Sequence, residues 1–290
     1  MGTKVGFIGL GIMGMPMATN LLNAGYEMVV FDISQEAVKE MVALGATEVK
    51  TPREAAEICE FVVTMLPEIP HNDKVYLGKD GLIEGAHEGL MLIDCSTTDS
   101  VSTIRIHDEV VKKGIKMIDA PVMGIRPNAE QGTLVMDVGG EADDVEACRG
   151  ILETVGARVV HAGPIGSGKM LKLVNNLMQG TFLCMVAEAI SLVKATGVDL
   201  EVFIDLFKGN LARNMEFGVF KIAAKNFDPL FKTSLMLKDM RLGLQTAGLC
   251  GASTPMAAVA KDMLQMTANH GRGDNDCTSV YTLYENHVKK

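Results

Sequence analysis

A lysine and two asparagines stand close together in the otherwise largely apolar stretch KMLKLVNNLMQGTFLCMVAEAISLVKA, Lys169 to Ala195. On a helix, Lys172, Asn175 and Asn176 occupy positions i, i+3 and i+4 and project from one face, with Lys169 one turn earlier. Such groups on a buried helix cost free energy unless they find partners or a substrate, and burial moves a lysine pKa toward the range useful for proton transfer. The pattern indicates a general acid/base with amides beside it; a hydrogen-bond network between domains is the alternative.

The segment GLGIMG, Gly9 to Gly14, follows an apolar run and opens a helical pattern. In that context G-x-G-x-x-G is typical of dinucleotide binding, because glycines permit the tight turn and the helix N-terminus attracts the pyrophosphate. Asp32 follows Gly14 by 18 residues, at the end of the second apolar run. A carboxylate there suits the ribose hydroxyls of NAD and repels the 2′-phosphate of NADP. FAD proteins share the fingerprint but are usually longer and carry further motifs. We therefore predict NAD, with NADP disfavoured, bound by Gly9, Gly11, Ile12, Met13, Gly14 and Asp32.

Short apolar runs alternate with helical patterns through the first half of the chain, among them KVGFIGL, EMVVFDI, FVVTML, LMLIDCS and IKMIDAP. This alternation predicts βαβ units and a parallel sheet. TLVMDVGG extends the sheet before a helix from about Asp143 to Val155, and ARVVHAG extends it after that helix. From Lys169 onward the patterns are helical, and the first of these helices is apolar on nearly all sides, so we expect it to be buried between domains or subunits. The fold class is α/β: a doubly wound Rossmann-type domain over 1–164, then an all-helical domain over 165–290 that begins with a long interdomain helix.

Composition narrows the classes of partner. A formal net charge of −9 disfavours nucleic acid and anionic membranes. The six cysteines are far apart and form no C-x-x-C pair, which argues against disulfide or zinc frameworks and fits a cytoplasmic protein. The histidines are scattered and no acids are paired, so we predict no metal. No run approaches 18 unbroken apolar residues, and we predict no membrane span.

One motif resembles a nucleoside triphosphate site. GPIGSGKM, Gly163 to Met170, nearly matches G-x-x-x-x-G-K-[ST], but Met170 cannot coordinate Mg²⁺ as serine or threonine would. Nucleotide hydrolysis is disfavoured on that ground.

Taken together, the motifs resemble those of the β-hydroxyacid dehydrogenase family over essentially the whole chain. The matching segments are GFIGLGIMGMPMATNLL, TMLP, DCST, DAPV, GTL…VGG, GSGKMLKLVNNLM and LMLKDMRLGL, in the family's order. The resemblance implies an NAD(P)-dependent enzyme that interconverts a short β-hydroxyacid and its semialdehyde by hydride transfer.

The resemblance also implies roles for individual residues. Lys172 matches the catalytic lysine, a base in oxidation and an acid in carbonyl reduction, and Asn176, with Asn175 beside it, matches the position that holds the reacting oxygen or a carboxylate. Lys238 matches the residue that reaches the cofactor from the helical domain, and its neighbour Asp239 is assigned to the substrate. The positions that line the nicotinamide ribose are Met65, Leu66, Pro67 and Thr97.

The chain departs from the family in the loop DAPVMGIRPNAEQGTL, Asp119 to Leu134. Where the family reads D-A-P-V-S-G-G, Met123 replaces the serine and Ile125 the second glycine, while Gly124 remains. Methionine donates no hydrogen bond, and Arg126 is the compensating donor for a carboxylate, sulfonate or phosphate. We predict that Met123 to Arg126 bind a small anionic substrate; the alternative is that Arg126 faces solvent. Asn128 is similar to the residue found at this position in the sulfolactaldehyde reductase branch. This resemblance favours a sulfonated substrate.

Other functions remain as alternatives. Within the family they are the 3-hydroxyisobutyrate dehydrogenase and tartronate semialdehyde reductase activities. An imine reductase is a related branch that typically lacks the lysine, and an NAD-sensing scaffold would have lost it too, so Lys172 argues against both. The family is commonly dimeric or tetrameric, and we expect a homodimer or homotetramer.

Overall fold

The computed structural model describes residues 2–207 and 218–285, with no side-chain detail for residues 206 and 207. It divides into two compact units, Met1–Leu177 and Met178–Lys290. The strands of the first unit are β1 Lys4–Ile8, β2 Glu27–Phe31, β3 Thr47–Glu48, β4 Phe61–Thr64, β5 Met91–Asp94, β6 Lys116–Asp119, β7 Val122–Met123, β8 Leu134–Gly139 and β9 Gly156–Gly163. Its helices are α1 Gly14–Asn23, α2 Gln35–Leu44, α3 Pro52–Ile58, α4 Ile69–Leu77, α5 Ser100–Val111, α6 Arg126–Glu130, α7 Ala142–Ala147 and α8 Arg149–Val155.

The nine strands form one sheet in the order β3-β2-β1-β4-β5-β6-β8-β7, with β9 paired to β8. Neighbours from β3 to β6 are parallel, as the alternating pattern predicts. β8 is the exception, because it runs antiparallel to β6 and β7. The connection from β7 to β8 is a short loop with the five-residue α6, and a tight connection of this kind reverses the chain.

Alternate residues of the strands supply two apolar cores, one on each face of the sheet. Val5 and Phe7 of β1 join the core that includes Met17 and Leu21 of α1, while Ile8 joins the opposite core. This two-residue period follows from strand geometry. The predicted helix over 143–155 is two helices, α7 and α8, which meet at Cys148.

The long helix α9, Ser167–Ala195, crosses the boundary between the two units. Its first turn packs against the sheet. Gly168 and Lys169 are buried there, and a Cβ at Gly168 would lie 2.2 Å from the Asp137 carbonyl oxygen of β8. That contact places the first turn of α9 in the first compact unit. The division at 164/165 stays a prediction.

In the single chain α9 carries exposed apolar side chains, and its burial between domains or subunits stays a prediction. Leu177 is 72% exposed and Leu183 is 63% exposed. By length and composition alone α9 could also cross a membrane, since an 18-residue window reaches a mean hydropathy of 1.4 with none of it buried. Core helices of soluble proteins share this composition.

The second unit contains the rest of α9 with α10 Leu200–Phe207, α11 Thr233–Leu249, α12 Pro255–Thr267 and a 3-10 helix, Cys277–Leu283. Asp276 caps the 3-10 helix. Its buried carboxylate also accepts from the Leu230 and Phe231 amides and lies 2.9 Å from the Lys221 ammonium. These contacts make Asp276 the organising polar group of this unit.

Candidate active site

Each of the three glycines after β1 has its own reason to be glycine. Gly9 has φ +98°, and a Cβ there would lie 2.3 Å from the Met65 carbonyl oxygen. A Cβ at Gly14 would lie 1.9 Å from the Gly9 carbonyl oxygen, so the start of α1 packs directly on the turn. A Cβ at Gly11 would meet nothing within 4 Å. Two glycines thus close the turn, and the third leaves an open backbone that a pyrophosphate can approach.

Asp32 ties this turn to the end of β2. Its Oδ2 accepts from the Leu10 amide at 2.6 Å and its Oδ1 from the Ser34 amide at 2.7 Å. A carboxylate oxygen has capacity for further hydrogen bonds, so Asp32 can accept from ribose hydroxyls in this position.

A cleft of about 640 Å³ lies along the turn and the carboxyl ends of β1, β2 and β4. Its lining includes nine of the residues predicted to bind the cofactor: Gly9, Gly11, Ile12, Met13, Gly14, Asp32, Met65, Leu66 and Pro67. Thr97 lines it as well, with an exposed side chain, and the neighbouring Ser96 hydroxyl accepts from the Leu66 amide at 3.0 Å. Ligands of open α/β sheets bind at this edge, and the donors and shape of the cleft fit a dinucleotide.

Sequence reasoning missed several residues at the other end of this cleft. Phe31, Ile33, Pro52, His71, Lys74, Val75 and Lys79 also line it. Their only sequence signal is position, because most of them lie at the end of β2 or on α4, while Pro52 begins α3 and Lys79 follows α4. No motif marks them.

Lys169 and Lys172 share a helix but lie in different environments. Lys169 is fully buried; its Nζ lies 3.0 Å from Asp94 Oδ2 and donates to the carbonyl oxygens of Asp94 and Ser96. The adjacent buried carboxylate of Asp119 accepts from the amides of Gly166 and Lys169. The lysine of the motif that resembles a triphosphate site therefore fastens α9 to β5 and β6.

Lys172 is half-buried one turn further along the helix, with Asn175 half-buried and Asn176 exposed beside it. Burial lowers the pKa of Lys172, and the negative charge of Asp137 acts in the opposite direction. The lysine and the two amides thus lie together on the first part of α9, and the role of Lys172 in proton transfer stays a prediction. Sequence reasoning missed Asp137, although a carboxylate inside the apolar strand TLVMDVGG was a visible signal.

The loop between β7 and β8, predicted to bind the substrate, is shaped by Gly124 and Asn128. Gly124 has φ +136°, and a Cβ there would lie 2.8 Å from the Leu134 side chain. Asn128 Oδ1 accepts from the Ile125 amide at 3.0 Å, and its backbone carbonyl accepts from the Thr133 amide. Met123 pairs with Val135 of β8, which fixes where the loop begins.

Arg126 does not stand alone in this loop. Its Nε lies 2.7 Å from Glu130 Oε1, and its side chain is 65% exposed. It also lines a second groove of about 550 Å³, beside Gly11 and Ile12 and along α1 and α2. The assignment of Arg126 as the anion-binding donor stays a prediction.

Lys238 and Asp239 lie on α11 in the second unit, where their charged groups are 2.9 Å apart and both side chains are largely exposed. Their assignments to cofactor and substrate stay predictions. Among the residues that the structure describes, no cluster of three or more histidine, cysteine or acidic side chains could hold a metal ion.

Comparison with known proteins covers the whole chain. A family model described as the NAD binding domain of 6-phosphogluconate dehydrogenase matches residues 4–163, and one described as NAD-binding of NADP-dependent 3-hydroxyisobutyrate dehydrogenase matches residues 166–284. An NAD-dependent L-serine dehydrogenase of Pseudomonas aeruginosa is 34% identical over 97% of this chain and 98% of its own. A 3-sulfolactaldehyde reductase of Escherichia coli is 34% identical over 95% of this chain and 94% of its own.

The chain is also similar in structure to a solved dehydrogenase. The 3-hydroxyisobutyrate dehydrogenase of Mycobacterium tuberculosis, determined with L-serine, is 29% identical and covers 98% of this chain and 99% of its own, with a TM-score of 0.69.

Proposed function

Because the chain belongs to the β-hydroxyacid dehydrogenase family, we propose that it interconverts a short β-hydroxyacid and its semialdehyde with Lys172 as the general acid and base. The chain is an NAD-dependent oxidoreductase of CH–OH donors. The observation that carries the assignment of Lys172 is its half-buried position with a lowered pKa, next to two amides, while its neighbour Lys169 is fully engaged in an ion pair.

When bound, NAD accepts or supplies the hydride, and the protein supplies orientation and one proton. In oxidation, the neutral Nζ of Lys172 takes the hydroxyl proton as the carbon loses its hydride. In reduction, the ammonium returns that proton to the oxygen and stabilises its developing negative charge. Asn176, with Asn175, donates hydrogen bonds to the same oxygen or to the substrate carboxylate. Lys238 and Asp239 act from the helical domain, on cofactor and substrate respectively.

The substrate carries an anionic group held by Met123 to Arg126. Gly124 offers a backbone amide and Arg126 a guanidinium, which together suit a carboxylate or a sulfonate, while the Ile125 amide donates to Asn128 Oδ1. The similarity to a 3-sulfolactaldehyde reductase supports the sulfonate, whereas the similarity to an L-serine dehydrogenase supports a carboxylate next to an amine.

An initial-rate screen separates these substrates. NADH oxidation is measured with the semialdehydes of tartronate, methylmalonate, succinate and sulfolactate, and NAD⁺ reduction with L-serine and 3-hydroxyisobutyrate. We expect turnover of at least one, lost by about 10²-fold or more in Lys172→Ala. Near-wild-type turnover by this variant would refute the role of Lys172. Binding of NADH without turnover of any substrate would favour the scaffold instead. The sulfonate assignment fails if sulfolactaldehyde is the poorest semialdehyde or if Arg126→Ala leaves its KM unchanged.

The exposed apolar surface of α9 supports a homodimer or homotetramer in the cytoplasm. Lys172, Asn175 and Asn176 interrupt this surface, and charged or amide groups at that density are costly in lipid, so protein is the better partner. The six cysteines are free, which fits a reducing compartment. Light scattering of the purified protein without detergent should give a mass of two or four chains; a monomer, or a requirement for detergent, would contradict this.

A further inference from the structure

Asp137 is a buried carboxylate without a hydrogen-bond partner on one oxygen. It lies on β8, is 3% exposed, and its Oδ2 has no partner among the described residues. A buried charge that lacks partners is expensive, and a native structure that keeps one has a reason for it.

The strand and the helix place Asp137 beneath the start of α9. Met136 and Val138 point into the core that contains α1 and α8, so the two-residue period of β8 turns Asp137 toward the opposite face. On that face Gly168 rests against the Asp137 backbone. Lys172 follows Gly168 by four residues and therefore projects from the same side of the helix.

Of the charges around this point, Lys172 acts most strongly on Asp137, and the neighbouring buried acids are already engaged. Asp94 and Lys169 form an ion pair, and Asp119 accepts from two backbone amides. Burial raises the pKa of Asp137, and the charges of Lys172 and then of Arg158, on β9, oppose that rise.

We propose that Asp137 is the positioning residue of Lys172, a fixed negative charge that holds the Lys172 ammonium at the end of β8 and sets the pH at which it releases its proton. The proposal rests on the proposed function, because it concerns the proton that Lys172 exchanges with the substrate oxygen. It adds a residue that touches neither substrate nor cofactor and acts through the lysine.

The first test needs no substrate. The full-length protein is acetylated with trace acetic anhydride between pH 6 and 11, and the labelling of Lys172 is quantified by peptide mass spectrometry. Only the free amine reacts, so the labelling curve reports the pKa of Lys172. Loss of a nearby opposite charge lowers a lysine pKa by about one or more, which gives about tenfold more labelling at a pH below both values. We expect this in Asp137→Asn and Asp137→Leu.

A matched control removes the same charge elsewhere. Asp144→Asn loses a carboxylate of the same unit that pairs with the Lys116 ammonium, and we expect its Lys172 curve to overlay the wild-type curve. Circular dichroism checks that each variant is folded. Because Asp137 has an unpartnered oxygen, its replacement with asparagine should change the free energy of unfolding by no more than about 1 kcal/mol.

The second test uses the pH profile of kcat/KM for NADH-dependent reduction, in the wild type, in the two Asp137 variants and in Asp137→Glu. The high-pH limb should move to lower pH in Asn and Leu and return toward wild type in Glu. Unchanged labelling of Lys172 in both charge-removing variants overturns the proposal, whatever the kinetics. Absence of turnover with every substrate overturns the proposed function instead, and the labelling still decides the role of Asp137.

Discussion

Replacing Lys169 should make the first unit unfold at a much lower denaturant concentration. Its Nζ lies 3.0 Å from Asp94 Oδ2 and donates to two carbonyl oxygens, and both side chains are 0% exposed. Asp94 also accepts from Thr64, Asn72 and the Ser96 amide, so removing the lysine leaves a buried carboxylate with its other partners but no counter-charge. Breaking one side of such a pair costs about 3–5 kcal/mol. We expect that loss in Lys169→Met, where methionine fills most of the volume.

Lys172→Met is the matched control, since it is the same substitution one turn along the same helix. Lys172 is half-buried and forms no ion pair within 4 Å among the described residues, so we expect a change of no more than about 1 kcal/mol. The two lysines should therefore differ in how much each contributes to the stability of the first unit.

The assay is urea unfolding followed by far-ultraviolet circular dichroism, with a thermal scan beside it. Two units can unfold separately, so the transition that belongs to the sheet is fitted on its own. For a unit of this size the loss corresponds to a drop in Tm of about 10 °C. The double variant Lys169→Met with Asp94→Asn should be less destabilised than the sum of the single variants. A Lys169→Met protein within 1 kcal/mol of wild type, or strictly additive single variants, would refute this account of the pair.

Three further predictions concern the cofactor turn and the second unit. Gly14→Ala should weaken NADH binding by about tenfold or more and destabilise the fold, because its Cβ would lie 1.9 Å from the Gly9 carbonyl oxygen; Gly11→Ala has room and should affect binding alone, as fluorescence titration and thermal melts would show. Asp32→Ser should raise the ratio of kcat/KM for NADPH over NADH by removing a carboxylate that repels the 2′-phosphate; an unchanged ratio would mean that Asp32 has been misread. Asp276→Asn should cost roughly 3 kcal/mol at pH 7. Burial opposes the charge of Asp276, but hydrogen bonds from Lys221, Thr278 and the Leu230 and Phe231 amides outweigh burial and hold its pKa below the usual range. The pKa of the folded state is depressed, so this stabilisation is present above about pH 4 and lost as the pH falls; the difference between variant and wild type in urea should shrink toward pH 3.

The strands and the cofactor turn could be predicted because their signals are local. Apolar runs bounded by helices give β1, β2, β4, β5 and β6, and the glycines predict the turn that the structure shows. The antiparallel direction of β8 could not be predicted, because it depends on how tightly the loop after β7 reverses. The break between α7 and α8 at Cys148 has no proline to mark it, and the nearby Gly150 lies inside α8.

The residue types of the candidate site could be predicted from the sequence, but the partner that each residue contacts could not. In the sequence, Lys169 and Lys172 look equivalent on one helical face. Only the tertiary structure shows that Lys169 forms a buried ion pair with Asp94. Arg126 was predicted from charge alone, and the pattern R-P-N-A-E also offers the i,i+4 partner Glu130, with which it pairs. Asp137 was overlooked because a single acid in an apolar strand has no motif.

The two lysines also explain how a proton-transferring side chain is held steady at the start of a largely exposed helix. The buried pair fixes the first turn of α9 against the ends of β5 and β6, and Gly168 fixes it against β8. Lys172 lies three residues after Lys169, about 4.5 Å further along the helix axis, so the contacts of the first turn fix its position. Errors of about 1 Å in a catalytic group cost up to about 10²-fold in rate. Lys169→Met should therefore lower kcat even under conditions where the variant is fully folded, with little change in the pH at which Lys172 titrates. A shifted Lys172 labelling curve in that variant would show that the buried pair sets the charge of the catalytic lysine as well as its place.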